Sequence, residues 1–143
     1  MNQSHIPSLE VQITPLWEKD TVSSAFVTIS LKNQDFRSEE ILCSFLDEIY
    51  SIPSAIDWQS LHISDEHGNI EIRHNSCPEQ HQIVHQLILS RKTVGMIQIS
   101  YRANFSAARP NPVLDMGQEP GGITGSGYCC CLLYTSGICI TLL

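Results

Sequence analysis

Four side chains within twelve residues have the chemistry of a metal site: His74, Cys77, His81 and His85. Imidazole and thiolate are the usual ligands of tetrahedral zinc. On one helix, His81 and His85 would share a face and could close on an ion with Cys77. The residues around them point to a strand instead. Segment 82–89 reads as a strand, and residues four apart in a strand lie about 13 Å apart on one face. The geometry therefore favours histidines on a solvated surface, and no metal site is expected. Serine, histidine and aspartate are all present, but no Gly-x-Ser-x-Gly elbow joins a strand to a helix. Thr124-Gly125-Ser126-Gly127 lacks the glycine two places before the serine.

The next chemical candidate is a loop. Four of the eight glycines fall at Gly121, Gly122, Gly125 and Gly127. A phosphate cradle would need a Lys-Ser or Lys-Thr pair after them, and a dinucleotide site would need a following helix. Neither is present. Glycine lets other backbone come close, so the loop reads as a surface that packs against a neighbouring domain. Asp115, Gly121, Gly122, Gly125 and Gly127 are its candidate docking residues. Trp17 and Trp58 read as aromatic anchors in the core or on a sheet face rather than as ligand-stacking groups.

The elements that must position these residues are mostly strands. Segments 9–16 and 25–31 alternate in the manner of half-buried strands, with a polar connection at 17–24. Residues 38–50 place apolar side chains at 41, 42, 45, 46, 49 and 50. That spacing predicts a short helix, capped by Ser38, favoured by Glu39 and Glu40 at its positive end and stopped by Pro53. A strand at 60–64, a turn at 65–69 and a return at 70–72 form a predicted hairpin. Asn75 to Glu79 reads as a polar loop. Segments 82–89 and 94–101 are the strongest strands, and the short link at 90–93 predicts that they pair antiparallel. From Phe105 the alternation ends in a proline-stiffened connector. The fold class expected is mostly β, an antiparallel β-sandwich with one short helix.

The chain has 143 residues, enough for one domain with a core. Its formal charge of -7 argues against nucleic acid, whose phosphates need a basic face, and against an anionic membrane. No apolar run follows the polar first residues, so no signal peptide is expected and the location expected is cytoplasmic. Cys43 and Cys77 are too few for a disulfide scaffold and read as reduced, buried or idle thiols.

Three stretches together resemble the amino-terminal domain of the glycyl aminopeptidase family. The first is Leu61-His62-Ile63-Ser64-Asp65-Glu66-His67-Gly68, similar to a strand ending in an Asp-x-x-Gly turn. The second runs from Arg91 through Thr93-Val94-Gly95 to Tyr101-Arg102, similar to a Thr-x-Gly turn into a strand ending in Tyr-Arg. The third is Val113-Leu114-Asp115-Met116 followed by the glycine loop. The family comprises zinc metallopeptidases with a thermolysin-like catalytic domain and commonly a PDZ domain. The resemblance covers about residues 9–127 and implies a β-sandwich that packs on its own catalytic domain. The ligand motif His-Glu-x-x-His is absent, since no histidine here precedes a glutamate. The resemblance therefore implies a non-catalytic amino-terminal domain, with no cofactor in this fragment and zinc in the catalytic domain of the parent enzyme. The alternative is a free-standing sandwich that binds peptide or protein along a strand edge.

Residues 128–143 carry no charge and hold four of the six cysteines. They are short of the roughly 20 residues of a membrane span and lack basic flanks. A palmitoylated end is a further alternative. Cys131-Leu132-Leu133-Tyr134-Thr135-Ser136 resembles the translation of a transposon-end adapter from a sequencing library. The expectation is a domain over 1–127 and a non-native tail over 128–143.

Overall fold

A computed structural model of the chain describes residues 8–49, 52–53, 55–79, 81–104, 116–119, 122–125, 131–132 and 138–142. Its strands are β1 (Ser8–Glu18), β2 (Thr21–Lys32), β3 (Ile41–Ile49), β4 (Ile52–Pro53), β5 (Ile56–Asp65), β6 (Gly68–Asn69), β7 (Ile72–Glu79), β8 (Gln82–Leu89), β9 (Ile97–Asn104), β10 (Met116–Glu119), β11 (Gly122–Gly125), β12 (Cys131–Leu132) and β13 (Ile138–Leu142). One sheet runs β13-β1-β2-β9-β5-β6; the other runs β12-β3-β8-β7, with β4 beside β3. Pairing is antiparallel except between β1 and β13. The mostly β, sandwich-like architecture read from the alternation is what the chain adopts.

Alternation explains the larger sheet directly. Ile13, Val27 and Tyr101 align across β1, β2 and β9, and so do Val11, Ile29 and Ile99. Ile63 of β5 extends the second row. All seven are buried, because period-two side chains put one whole register on one face. Facing them from the second sheet are Cys43 and Phe45 of β3 and Leu87 and Leu89 of β8, all fully buried. A buried apolar side chain of this size contributes about 1.5–3 kcal/mol relative to exposure, so this inter-sheet layer dominates the stability.

Four expectations are corrected. Residues 38–50 form no helix; 41–49 is strand β3. The register with β8 slips between Ile41 and Cys43 and again between Leu46 and Glu48. Each bulge adds a residue to the strand, so strand alternation twice shifts phase and imitates helical spacing. Leu42 and Cys43, adjacent in sequence, are both fully buried for this reason. Ahead of β3, Glu39 has a φ of 67° and its N–H donates to the Leu89 carbonyl, a turn into a sheet rather than a helix cap.

The strong strands β8 and β9 do not pair with each other. β8 lies between β3 and β7, and β9 between β2 and β5. Residues 90–96 carry the chain from one sheet to the other. The polar segment 75–79 belongs to β7 instead of a loop, because an edge strand tolerates polar side chains on its open face. The predicted return at 70–72 likewise leaves the first sheet. Gly68 and Asn69 pair back with β5 and the Ile70 N–H still donates to the Ile63 carbonyl, but Ile72 already faces Leu89 in the second.

Candidate functional site

The two family-like turns meet in space. The Asp65 side chain is fully buried. Nη1 of Arg91 donates to its Oδ2 at 2.7 Å and Nη2 to its Oδ1 at 2.8 Å. The Val94 N–H donates to Oδ2 at 2.8 Å and the His67 N–H to Oδ1 at 2.9 Å. Arg91 reaches further, to the carbonyls of Gly68 and Asn69. The bidentate bond from Arg91, with the two backbone donors, holds the Asp65 carboxyl well below the usual carboxylate range despite burial. The same contact raises the Arg91 guanidinium above its ordinary value. A carboxylate with four donors has its acceptor sites filled. It cannot take a substrate proton, so Asp65 is a clasp and not a general base.

Neighbouring residues complete the clasp. Thr93 is buried; its Oγ1 accepts from the Phe36 N–H at 3.0 Å, and its own N–H donates to the Phe36 carbonyl at 3.1 Å. Gly95 has a φ of 70°, and a Cβ there would collide with the Glu66 carboxylate. The Asp-x-x-Gly and Thr-x-Gly patterns thus mark the crossover between sheets: an acid, its arginine, a buried threonine and a glycine under a side chain.

A second feature was not legible in the sequence. Between Asp57 and His62, strand β5 breaks register with β9. Ser60 closes the interruption: its hydroxyl donates to the Asp57 carbonyl at 2.6 Å and accepts from the Arg102 N–H at 2.7 Å. A bulge of this kind re-aims side chains. Here Trp58 packs against the core and its ring meets Phe45 edge-on at 5.6 Å. Tyr101 also meets Phe45 edge-on, at 5.3 Å. The Trp58 ring also lies 4.7 Å from His85 and 5.8 Å from His74, and the two imidazoles are 5.9 Å apart.

The four residues first singled out therefore divide. His85 pairs with Ser76 and Phe45 across its neighbours, and His74 with Leu87, which puts both imidazoles on the inner face. Cys77 pairs with Val84 and takes the outer face, where Asn75 and Gln86 hydrogen-bond. His81 stands in the turn before β8. His85 is half-buried, with its Nδ1 shut off from solvent, so it is no solvated surface histidine. Among the described residues, no group of three or more His, Cys, Asp or Glu is placed to hold a metal ion. Cys43 is a buried thiol and Cys77 a half-buried one. Trp58 packs as expected of an aromatic anchor, whereas Trp17 is 65% exposed.

Of the docking residues, Asp115, Gly121 and Gly127 lie outside the described residues, as does the connector at 105–115. Gly122 and Gly125 belong to β11, opposite Glu119 and Met116 of β10. In the tail, β13 runs parallel to β1 and β12 pairs with Cys43 and Ser44 of β3. No helix among the described residues is long and apolar enough to cross a membrane.

No protein-family model matches the chain, and no curated protein matches it. Among solved structures it is similar to an aminopeptidase N family protein from Idiomarina loihiensis, with a TM-score of 0.38 and 14% sequence identity. The match covers 75% of this chain and 17% of that one.

Proposed function

We propose that the chain is a non-catalytic amino-terminal β domain of a glycyl-aminopeptidase-like zinc metallopeptidase, whose role is to support a catalytic domain. One observation carries this reading. Two of the three stretches that resemble the family, separated by 26 residues at their charged members, close on each other through Asp65, Arg91 and Val94. A chance match of short motifs has no reason to supply both halves of one ion pair around a buried carboxylate. A further support is the apolar surface that a docked domain would cover. Phe26 and Leu16 are exposed, at 41% and 38%, beside the exposed Trp17, and exposed apolar groups in a cluster mark interaction surfaces.

In this reading zinc belongs to the parent's catalytic domain, and no residue of this chain is assigned to it. The glycine loop with Asp115, Gly121, Gly122, Gly125 and Gly127 remains the proposed docking segment, the partner remains the chain's own catalytic domain, and the compartment remains the cytoplasm. The test has two arms. The purified chain is assayed on amino-terminal glycyl substrates, with and without chelator, and its zinc content is measured; neither hydrolysis nor stoichiometric zinc is expected. The gene is then read beyond codon 127, where continuation into His-Glu-x-x-His is expected. Chelator-sensitive hydrolysis by the chain alone, or a genuine stop codon at that point, overturns the proposal.

The second reading, a free-standing module that adds a peptide strand to its sheet, is favoured by β7. Among the described strands β7 pairs only with β8, and a sheet edge of this kind accepts an extended peptide.

A further inference from the structure

Strand β7 borders the second sheet and, among the described strands, pairs only with β8. Which of its main-chain groups face β8 follows from how it begins. The Ser90 N–H donates to the Glu71 carbonyl at 3.1 Å. The next pair, Ile72 opposite Leu89, is an unbonded one, since Leu89 directs its N–H to Glu40 and its carbonyl to Glu39. Bonded and unbonded pairs alternate along an antiparallel ladder. Arg73, Asn75 and Cys77 therefore bond to β8, whereas Ile72, His74 and Ser76 turn their N–H and C=O groups outward, to the rim of the sheet. The four residues from Arg73 to Ser76 are all exposed, on both faces of the strand. Pro78 holds the next outward position and has no N–H to offer, the usual place for proline in a sheet.

The opposite sheet continues past this rim. Tyr101 of β9 meets Phe45 of β3, and Trp58 of β5 meets His85 of β8 and His74 of β7. The two sheets thus run in the same order, and β6 extends the first beyond β5 on the side of β7. A groove of about 200 Å³ lies there, lined by apolar Trp58, Leu61 and Ile72 and by polar His62, Asn69 and His74. His62 and Asn69 hydrogen-bond to each other at 2.7 Å, so what the groove lacks is an apolar side chain rather than a polar one.

We propose that β7 takes an extended peptide segment of another protein as an added strand, about five residues long, with one aliphatic or aromatic side chain seated in this groove. The inference rests on the second reading above, strand addition at β7, and specifies what is added. Outward N–H and C=O groups recur at every second residue, about 6.6 Å apart. That alternation of partial charges is complemented by an extended backbone. Residues directly opposite in a ladder share a face. A peptide residue opposite Ile72 or His74 therefore points inward, to the groove, while its neighbours point to water and can be polar. The outward donors run from Ile72 to Ser76 and stop at Pro78, which sets the length. A second copy of the chain fits less well. Paired about a two-fold axis through His74, it would set Ser76 opposite Ile72 and bring no apolar side chain to the groove.

The test uses the full chain under reducing conditions, with Trp17→Phe so that Trp58 is the sole tryptophan. It is titrated with acetylated, amidated peptides Thr-Thr-Xaa-Thr-Thr in which Xaa is Leu, Phe, Ala or Asp. The Leu and Phe peptides should bind about tenfold more tightly than the Ala peptide, the scale of apolar discrimination in a pocket, and should change Trp58 emission. Amide NMR shifts should be larger at Ile72, His74 and Ser76 than at Arg73 and Asn75. Ser76→Pro removes an outward N–H and none that bonds to β8, so it should weaken every peptide. Leu61→Ala should narrow the ratio of Leu to Ala affinity and leave the Ala peptide unaffected. Equal affinity for the Leu, Ala and Asp peptides, with the outward amides still shifting, overturns the groove assignment and leaves strand addition standing. Absence of binding, or binding that Ser76→Pro does not weaken, overturns both. Dimerisation without peptide that is lost in Ser76→Pro assigns the rim to a second copy and overturns the proposal.

Discussion

Asp65, at the end of β5, and Arg91, within the crossover between the two sheets, form a bidentate pair in which the carboxylate is wholly buried and the guanidinium 34% exposed. The connection Ser90 to Met96 has to leave β8 in one sheet and enter β9 in the other. Without an anchor those residues would sample many paths, and ordering each one costs about 1–2 kcal/mol of backbone entropy. The arginine, two backbone donors and the Thr93–Phe36 pair supply the anchor. The Arg73–Glu39 pair makes a contrast: it is just as short, at 2.7 Å, but both partners are mostly exposed. Exposed pairs of that kind contribute at most about 1 kcal/mol.

Asp65→Asn should destabilise the chain by about 1.5–3 kcal/mol, the range for hydrogen bonds to a charged group, since an amide cannot accept from Arg91 and from both backbone donors at once. The effect depends on pH with a definite sign. The Asp65 value is depressed in the folded state, so its contribution is present above the ordinary carboxylate value of about 3.9 and is lost as pH falls below it. Urea denaturation at pH 6.5 and pH 3 should show the gap between wild type and Asp65→Asn narrowing at the lower pH. An equal gap at both values would mean that the ion pair contributes nothing specific.

Gly95→Ala should cost about 1–3 kcal/mol, from a strained positive φ and a collision with Glu66. The two causes separate in a double-mutant cycle. Glu66→Ala clears the steric obstacle and leaves the backbone strain, so the double variant should recover part of the loss and not all of it. Thermal melts of the four proteins measure the coupling. Strict additivity would remove the side-chain contact from the explanation.

Ser60→Ala removes both hydrogen bonds that close the β5 bulge. About 1–2 kcal/mol of destabilisation is expected. The fluorescence of Trp58 in a Trp17→Phe background should also change, because the bulge aims that ring. Loss of stability with an unaltered Trp58 spectrum would show that the ring is held by its packing alone.

Deleting residues 128–143 should leave a folded chain. Strand β1 pairs with β2 along its whole length, from Ser8 opposite Lys32 to Glu18 opposite Thr21, and that ladder does not depend on β13. Wild type and a 1–127 chain are to be melted under reducing conditions, where the thiol chemistry of the tail is silent. A midpoint lower by several degrees would show that β13 and β12 contribute to the sheets they border.

The class and most of the larger sheet were legible in the sequence. Alternation at 9–16, 25–31 and 94–101 reports a face buried in period two, and β1, β2 and β9 lie close to where that period places them. It also held the residues of the clasp, though not their relation: Asp65 and Arg91 could be read as turn residues, while their pairing is a contact between distant segments. Tertiary structure alone decided three things. It split β8 from β9, because a seven-residue link is long enough either to turn back or to cross, and local pattern carries no preference between the two. It made 41–49 a strand, because two bulges against β8 gave it a helical spacing that only the partner strand explains. And it brought Trp58, His85 and His74 together, because the bulge at 58–61 and the stacking of two sheets act on residues that have no periodic signal in common.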